Sequence, residues 1–313
     1  AAALSCESTC AAQAPWTQAL VPAGGATEFQ ASYEMGAELG RGTFGVVHRA
    51  RHVATGQHRA VKRVARGGAG GDAANELQVI ASLSHPNVVG FHEYYVSGDE
   101  VLLVQELCEG GPLTERLDSV MGRGMGAGQE TARALREMLE AVKHCHDRGF
   151  VHRDLRADNF VVASHGEAAA LKLIDFGLAG RCALSERLQG PAGTVEYSAP
   201  EALEAAGFGQ PADVWALGAI FFLLLTGEPL IRTEVPATPS EEMRRALHGV
   251  ATRRVLDPGY IRLRVQSAAA RLPDSAGELL TDMLRQDPAR RITIEEALRH
   301  PFLAAGPRTG HSA

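Results

Sequence analysis

The sequence predicts an α+β protein of two lobes, a small β-rich one over residues 32–107 and a larger, mainly helical one over 108–303. Three observations carry this. Apolar residues alternate in short runs between Tyr33 and Leu107, as half-buried strands require. From Thr131 onward they recur at helical spacing instead. The period changes near Cys108 to Pro112, around the Gly110-Gly111 pair, and no segment repeats another, so strands and helices are segregated along the chain.

Taken in order, residues 1–31 are Ala, Gly, Gln, Ser and Thr without periodicity and read as a flexible leader. Glu38-Leu39, then 46–50, then 58–64 read as antiparallel strands joined by turns such as Thr55-Gly56. Gly67, Gly68, Gly70 and Gly71 loosen the next connection, and Asp72 is placed to cap a helix carrying Glu76, Leu77, Ile80 and Leu83. Strand-like stretches return at 88–96 and 101–107. The helical part opens with 131–146, whose Ala134, Leu135, Met138, Leu139 and Val142 share one face. Further helices are expected over 213–226, 241–247, 275–284 and 294–299, and residues 304–313 read as a disordered tail. The longest apolar run, 219–225, is far short of the ~20 residues that span a bilayer, so it predicts a buried helix and no membrane span.

Composition narrows the partners. Hydrophobic and charged fractions of 45% and 22% are ordinary for a globular protein, and a net charge of −6 argues against a nucleic-acid partner, whose phosphates call for a basic face. Cys6, Cys10, Cys108, Cys145 and Cys182 are odd in number and scattered, the pattern of free thiols in a reducing compartment. The Ala-rich start has no basic n-region of a secretory signal, so a cytoplasmic location is expected. Oligomeric state is left open.

The chemistry lies in separated motifs. Gly40-Arg41-Gly42-Thr43-Phe44-Gly45 lets backbone amides approach phosphates, although alone such a loop also serves as a hairpin turn or, when a helix follows, in dinucleotide binding. Here strand-like alternation continues on both sides. Lys62 follows on the next strand, where an acid such as Glu76 could fix its ammonium; by itself a strand lysine is usually solvated. More specific is His152-Arg153-Asp154-Leu155-Arg156-Ala157-Asp158-Asn159, followed by Asp175-Phe176-Gly177. Phosphoryl transfer asks for positioning and charge neutralisation. Asp154 could take a hydroxyl proton, Asn159 and Asp175 offer hard oxygen ligands to Mg²⁺, and Arg156 could reach the transferred group.

Together with Ala199-Pro200-Glu201, this ordered set resembles the eukaryotic protein kinase signature from about Tyr33 to Leu303. The resemblance implies a two-lobed kinase fold using ATP and Mg²⁺ on a protein substrate. It implies that Leu39, Gly40, Gly42, Gly45, Val47, Ala60, Lys62 and Val161 surround the nucleotide, with the Glu106–Cys108 backbone on the adenine edge and Gln105 as gatekeeper. Asp154 would be the base, Arg156 would reach the transferred phosphate, Lys62 would hold the α- and β-phosphates while paired to Glu76, and Asn159 and Asp175 would be the metal ligands. Ile80, Phe176 and His152 would form a spine anchored by Asp213, and Glu201 would pair with Arg291. Gly193-Thr194-Val195-Glu196-Tyr197 is similar to the serine/threonine branch. Within that branch, Cys108-Glu109-Gly110-Gly111 and Arg299-His300-Pro301-Phe302-Leu303 resemble calcium/calmodulin-dependent and calcium-dependent kinases, yet the chain has no EF-hand loop.

Three departures stand out. Arg156 replaces the Lys usual in that branch, Pro112 replaces an acid that reads basic substrate residues (Asp158 keeps another), and Lys62 and Glu76 are only 14 residues apart. Arg156 and the short Lys62–Glu76 separation leave a nucleotide-binding pseudokinase scaffold as the alternative, and Arg156 hints at tyrosine specificity. Ser185 could carry a regulatory phosphate paired with Arg153. Lys143-His144-Cys145-His146 fits no standard zinc spacing.

Overall fold

The computed structural model describes residues 21–42, 45–66, 73–118, 125–166, 169–182, 188, 193–204, 207–233 and 240–304. The Thr43-Phe44 loop tip, the expected cap Asp72, Ser185, most of the leader and the tail beyond residue 304 lie outside them.

Helix α1 (Ala26–Ser32) precedes strands β1 (Tyr33–Gly42), β2 (Gly45–His52) and β3 (His58–Ala65), helix α2 (Ala73–Ser82), and strands β4 (Phe91–Ser97) and β5 (Glu100–Glu106). The five strands form one antiparallel sheet in the order β1-β2-β3-β5-β4. The period of two on β3 sends Val61 to one face, in a cluster with Phe29, Tyr33, Tyr95 and Val104, and Val64 to the other, beneath Leu77 of α2. Lys62 shares the α2 side. The expected leader is corrected at its end: Gly24 pairs with Tyr95 on the β4 edge, and α1 buries Phe29 against Tyr33 and Tyr95 at ring separations of 5.4 and 5.3 Å. One aromatic in a polar segment suffices when an aromatic patch waits for it.

Helix α2 belongs to both halves. Ala73 and Leu77 pack under the sheet, whereas Val79, Ile80 and Leu83 join the large core of the C-terminal part. Strand β4 starts later than expected, because Asn87 and Val89 bond the backbone of the C-terminal part instead: Leu173 N–H donates to Asn87 O at 2.8 Å and Val89 N–H to Leu173 O at 3.0 Å.

The second half contains α3 (Leu113–Asp118), α4 (Gln129–Asp147), short strands β6 (Phe150–Val151), β7 (Phe160–Val162), β8 (Leu171–Leu173) and β9 (Gly180–Arg181), then α5 (Pro200–Leu203) and α6 (Gln210–Thr226). Thirteen of the 17 residues of α6 are buried, so it is a core helix apolar all round. Gly227, at φ 72°, ends it by donating to Leu223 O. Helices α7 (Glu241–Leu256), α8 (Pro258–Ala269), α9 (Asp274–Met283), α10 (Ile294–Arg299) and α11 (Pro301–Ala304) complete the chain. Helix α7 is longer than its pattern suggested and α8 was not anticipated. Asp257 caps α8 at Gly259 N–H with Pro258 in its first turn, and Ile261, Val265 and Ala268 form its buried stripe. Among the described residues no helix is long and apolar enough to cross a membrane.

Candidate active site

The functional side chains stand where the two halves meet. Lys62, 6% exposed, projects from β3 beneath α2. Because α2 starts at Ala73, Glu76 sits in its first turn, and the short separation from Lys62 is spanned directly: Lys62 Nζ lies 2.5 Å from Glu76 Oε1. The same ammonium is 2.7 Å from Asp175 Oδ1. Burial alone would lower the Lys62 pKa, but the two carboxylates outweigh it and hold it above its ordinary value. Burial likewise works to raise Asp175, and the Lys62 charge and hydrogen bond hold it low instead. Glu76 sits above its ordinary pKa, because burial and the neighbouring Asp175 charge outweigh the pull of Lys62.

Asp154 follows Arg153, which at φ 72° shares with Asp175 at φ 63° the distinction of being a non-glycine residue in the left-handed region. Such backbone costs about 1–3 kcal/mol and persists where surroundings impose it. Asp213 of α6 does so here, accepting His152 N–H at 2.9 Å and Arg153 N–H at 3.1 Å, with His146 Nε2 2.8 Å away. Full burial would raise Asp213, but His146 keeps it low. His152 and Phe176 pack at a ring separation of 5.2 Å, in one core with Ile80.

The Asp154 carboxylate accepts Thr194 N–H at 3.0 Å and Thr194 Oγ1–H at 3.1 Å, both on Oδ1. Burial raises its pKa, only partly countered by His152 and by these bonds. Gly193 makes the approach possible: at φ 79°, a Cβ there would lie 2.4 Å from Arg153 O and 2.9 Å from Asp154 Oδ1. Asn159, 8% exposed, donates its amide to Asp154 O at 2.7 Å, and its own carbonyl accepts Ile174 N–H at 2.9 Å, which sets it beside Asp175. Among the described residues Asn159 Oδ1 and Asp175 Oδ2 accept no protein hydrogen bond, and both are hard oxygen atoms of the kind a divalent cation takes.

Around the cleft, Gly40 and Gly42 leave open space where a Cβ would point, whereas Gly45 is needed for packing, since a Cβ would meet Arg63 O at 2.1 Å. Its φ of 147° thus serves the β2–β3 contact. Ala60 is buried opposite Gln105, Val47 and Val161 are half-buried, and Leu39 is exposed. Glu106 uses its N–H on Gly90 O and its carboxylate on Lys172 Nζ, 2.8 Å away. The Cys108 N–H has no partner among the described residues, leaving a donor for a ligand edge, while burial pushes the Cys108 thiol up to about 12.

Beyond the site, Arg291 grips Glu201 through two bonds of 2.6 and 2.9 Å. Three contacts had no sequence signal: Arg156 and Thr114 on Asp158, and Asn75 Nδ2 donating to Ala179 O at 2.8 Å. His146 did have one, since it is an invitingly placed imidazole at a helix end, but its partner Asp213 is 67 residues away.

Known proteins resemble this chain in sequence. The protein kinase domain family matches residues 33–303. The chain is 34% identical over 285 residues to calcium-dependent protein kinase 14 of Arabidopsis thaliana, covering 89% of this chain and 50% of that protein. It is 36% identical over 277 residues to calcium-dependent protein kinase 9 of Oryza sativa subsp. japonica, covering 87% and 45%. It is 30% identical over 274 residues to the probable serine/threonine-protein kinase pXi of Dictyostelium discoideum, covering 87% and 36%. The chain therefore spans half or less of the length of these relatives. With a five-stranded sheet leading into a helical half and the ordered motifs gathered at their junction, the chain belongs to the protein kinase domain family and has its two-lobed fold.

Proposed function

We propose that this chain is the catalytic domain of a protein serine/threonine kinase that transfers the γ-phosphoryl group of ATP to a Ser or Thr hydroxyl with Mg²⁺ bound. The observation that carries the reading is the convergence of Lys62, Glu76 and Asp175 in one buried ion cluster, with Asn159 and Asp154 bonded beside it. The named serine/threonine kinase relative supports the acceptor class.

Asn159 and Asp175 would hold Mg²⁺, which neutralises phosphate charge when bound. Lys62, fixed by Glu76, holds phosphate oxygens. Gly40 and Gly42, with open space where a Cβ would point, let the end of β1 lie close over them. Ala60, Val47 and Val161 flank the adenine, and the Cys108 N–H donates to its edge. Asp154 orients the acceptor hydroxyl and takes its proton as the oxygen bonds to the γ-phosphorus. The bond from that phosphorus to the bridging oxygen breaks, and its electron pair leaves on ADP. A base whose pKa burial has raised is the better proton acceptor once ionised.

The test is Mg·ATP-dependent labelling of a mixed Ser/Thr peptide pool, followed by phosphoamino-acid analysis. Asp154→Asn should slow labelling by about 10²–10⁴-fold, the usual worth of a positioned base. Equal labelling by the variant would reject the assigned base. Thermal stabilisation by Mg·ATP without transfer to any peptide would instead favour a nucleotide-binding scaffold.

A further inference from the structure

Next to the proposed base, one acidic side chain has already been claimed by the chain itself. Asp158 lies on the loop that carries Asp154, and a continuous line of contacts joins the two: Asp154 Oδ1 accepts Thr194 Oγ1–H at 3.1 Å, Thr194 Oγ1 is 3.4 Å from Arg156 Nη1, and Arg156 Nε donates to Asp158 Oδ2 at 2.7 Å. Arg156 Nη2 bonds the same oxygen, and Thr114 Oγ1–H takes the other at 2.9 Å. Both side chains are part-exposed, 38% for Arg156 and 40% for Asp158, so this pair forms open surface beside the point of transfer. On the kinase reading, a peptide that presents its hydroxyl to Asp154 would pass beside this pair. Glu109, at the edge of the same cleft, faces Arg49 at 3.1 Å.

We infer that Arg156 is a specificity-determining residue that neutralises Asp158, so that the acceptor groove does not select for arginine near the phosphorylated residue. The inference rests on the kinase reading above. Two Arg156 donors converge on one carboxylate oxygen while a third N–H reaches Thr194, a geometry that a planar guanidinium supplies and a single ammonium does not. An incoming arginine would have to displace a partner tethered two residues away, whose effective concentration no substrate matches. Lysine at this position would keep a positive charge near the transferred phosphoryl group but loosen its hold on Asp158, which could then pair with a substrate arginine.

The experiment compares kcat/KM for paired serine peptides that differ only in carrying arginine or alanine at the residues flanking the serine. For the wild type the two should agree within about threefold, the scale of an exposed, already compensated pair. Arg156→Lys should raise the arginine-to-alanine ratio to about tenfold or more, as a charge-assisted bond to a freed carboxylate would. Adding Asp158→Asn to that variant should return the ratio to the wild-type value, a readout that general damage to the site would not produce. Should Arg156→Lys be inactive, the wild type and Asp158→Asn still decide the matter. A wild-type preference for arginine above about tenfold that Asp158→Asn abolishes would overturn the inference. No transfer to either peptide by the wild type would overturn the kinase reading itself, and with it this inference, through a different observable.

Discussion

Replacing Arg291 by Met should destabilise the protein by about 3–5 kcal/mol, the cost of leaving one member of a buried ion pair alone. Arg291 is 5% exposed and Glu201 7%. The guanidinium makes two bonds to Glu201, at 2.6 and 2.9 Å, and donates further to Pro211 O at 2.7 Å, Arg285 O at 3.0 Å and Gln286 O at 3.3 Å. It also lies over the Trp215 ring, 5.2 Å from the centroid. Methionine fills much of the volume but leaves a carboxylate and three carbonyls without their donors. Unsatisfied carbonyls add up to about 1 kcal/mol each, so the lower figure is a floor. At about 2–4 °C per kcal/mol for a domain of this size, the melting temperature should fall by about 6–20 °C. Urea titration followed by far-UV circular dichroism measures the free energy, and calorimetry the temperature. Adding Glu201→Gln to the Arg291→Met protein should recover about 1–3 kcal/mol, because an amide is cheaper to bury than an unpaired carboxylate. A loss below about 1 kcal/mol for Arg291→Met, or no recovery in the double variant, would show that Glu201 finds water or another cation and that the pair does not fasten α5 to the body.

Three further outcomes follow from the site. Gly193→Ala should cut peptide phosphorylation by about tenfold or more with a modest change in melting temperature, since its Cβ would press on Arg153 O and Asp154 Oδ1; unchanged kcat/KM would mean the loop yields freely. Thr194→Val should move the acid limb of the kcat/KM pH profile upward: the proposed mechanism needs ionised Asp154, burial raises its pKa, and the lost hydroxyl is one of the bonds that lower it. A limb that stays in place or moves down would disconnect Asp154 from the profile. Asp175→Asn should abolish the Mg²⁺-dependent part of the ATP-induced thermal shift while leaving a folded protein, and a shift equal to that of the wild type would remove Asp175 from the metal site.

Much of this fold was legible because periodicity is local. The helical stripe of α4 reflects one buried face, and the apolar run of β3 reflects a strand whose centre is covered on both faces, so both patterns are written in neighbouring residues. The glycine loop, Lys62, the Asp154–Asn159 loop and Asp175 were legible for a related reason: their residue types serve so few structural purposes in that order that chemistry is the economical reading. Less visible were α1 and α8. A single Phe29 creates no period, and the stripe Ile261, Val265 and Ala268 is interrupted by exposed Leu263, which makes the segment look like alternating strand.

Sequence alone settled which side chains carry charge, hard oxygen atoms and backbone freedom, and in what order they come along the chain. It did not settle who meets whom. Whether Lys62 reaches Glu76 across a short glycine-rich connection, whether Asp213 holds His152 and Arg153 in place, and whether Arg156 turns toward Asp158 all depended on how α2, α6 and the central loop are packed. Hydrogen bonds and ion pairs act over about 3 Å, whereas sequence separation says nothing about distance once a chain folds back on itself. Buried helix α6 decides those distances, because a close-packed core admits one arrangement of the loops it supports.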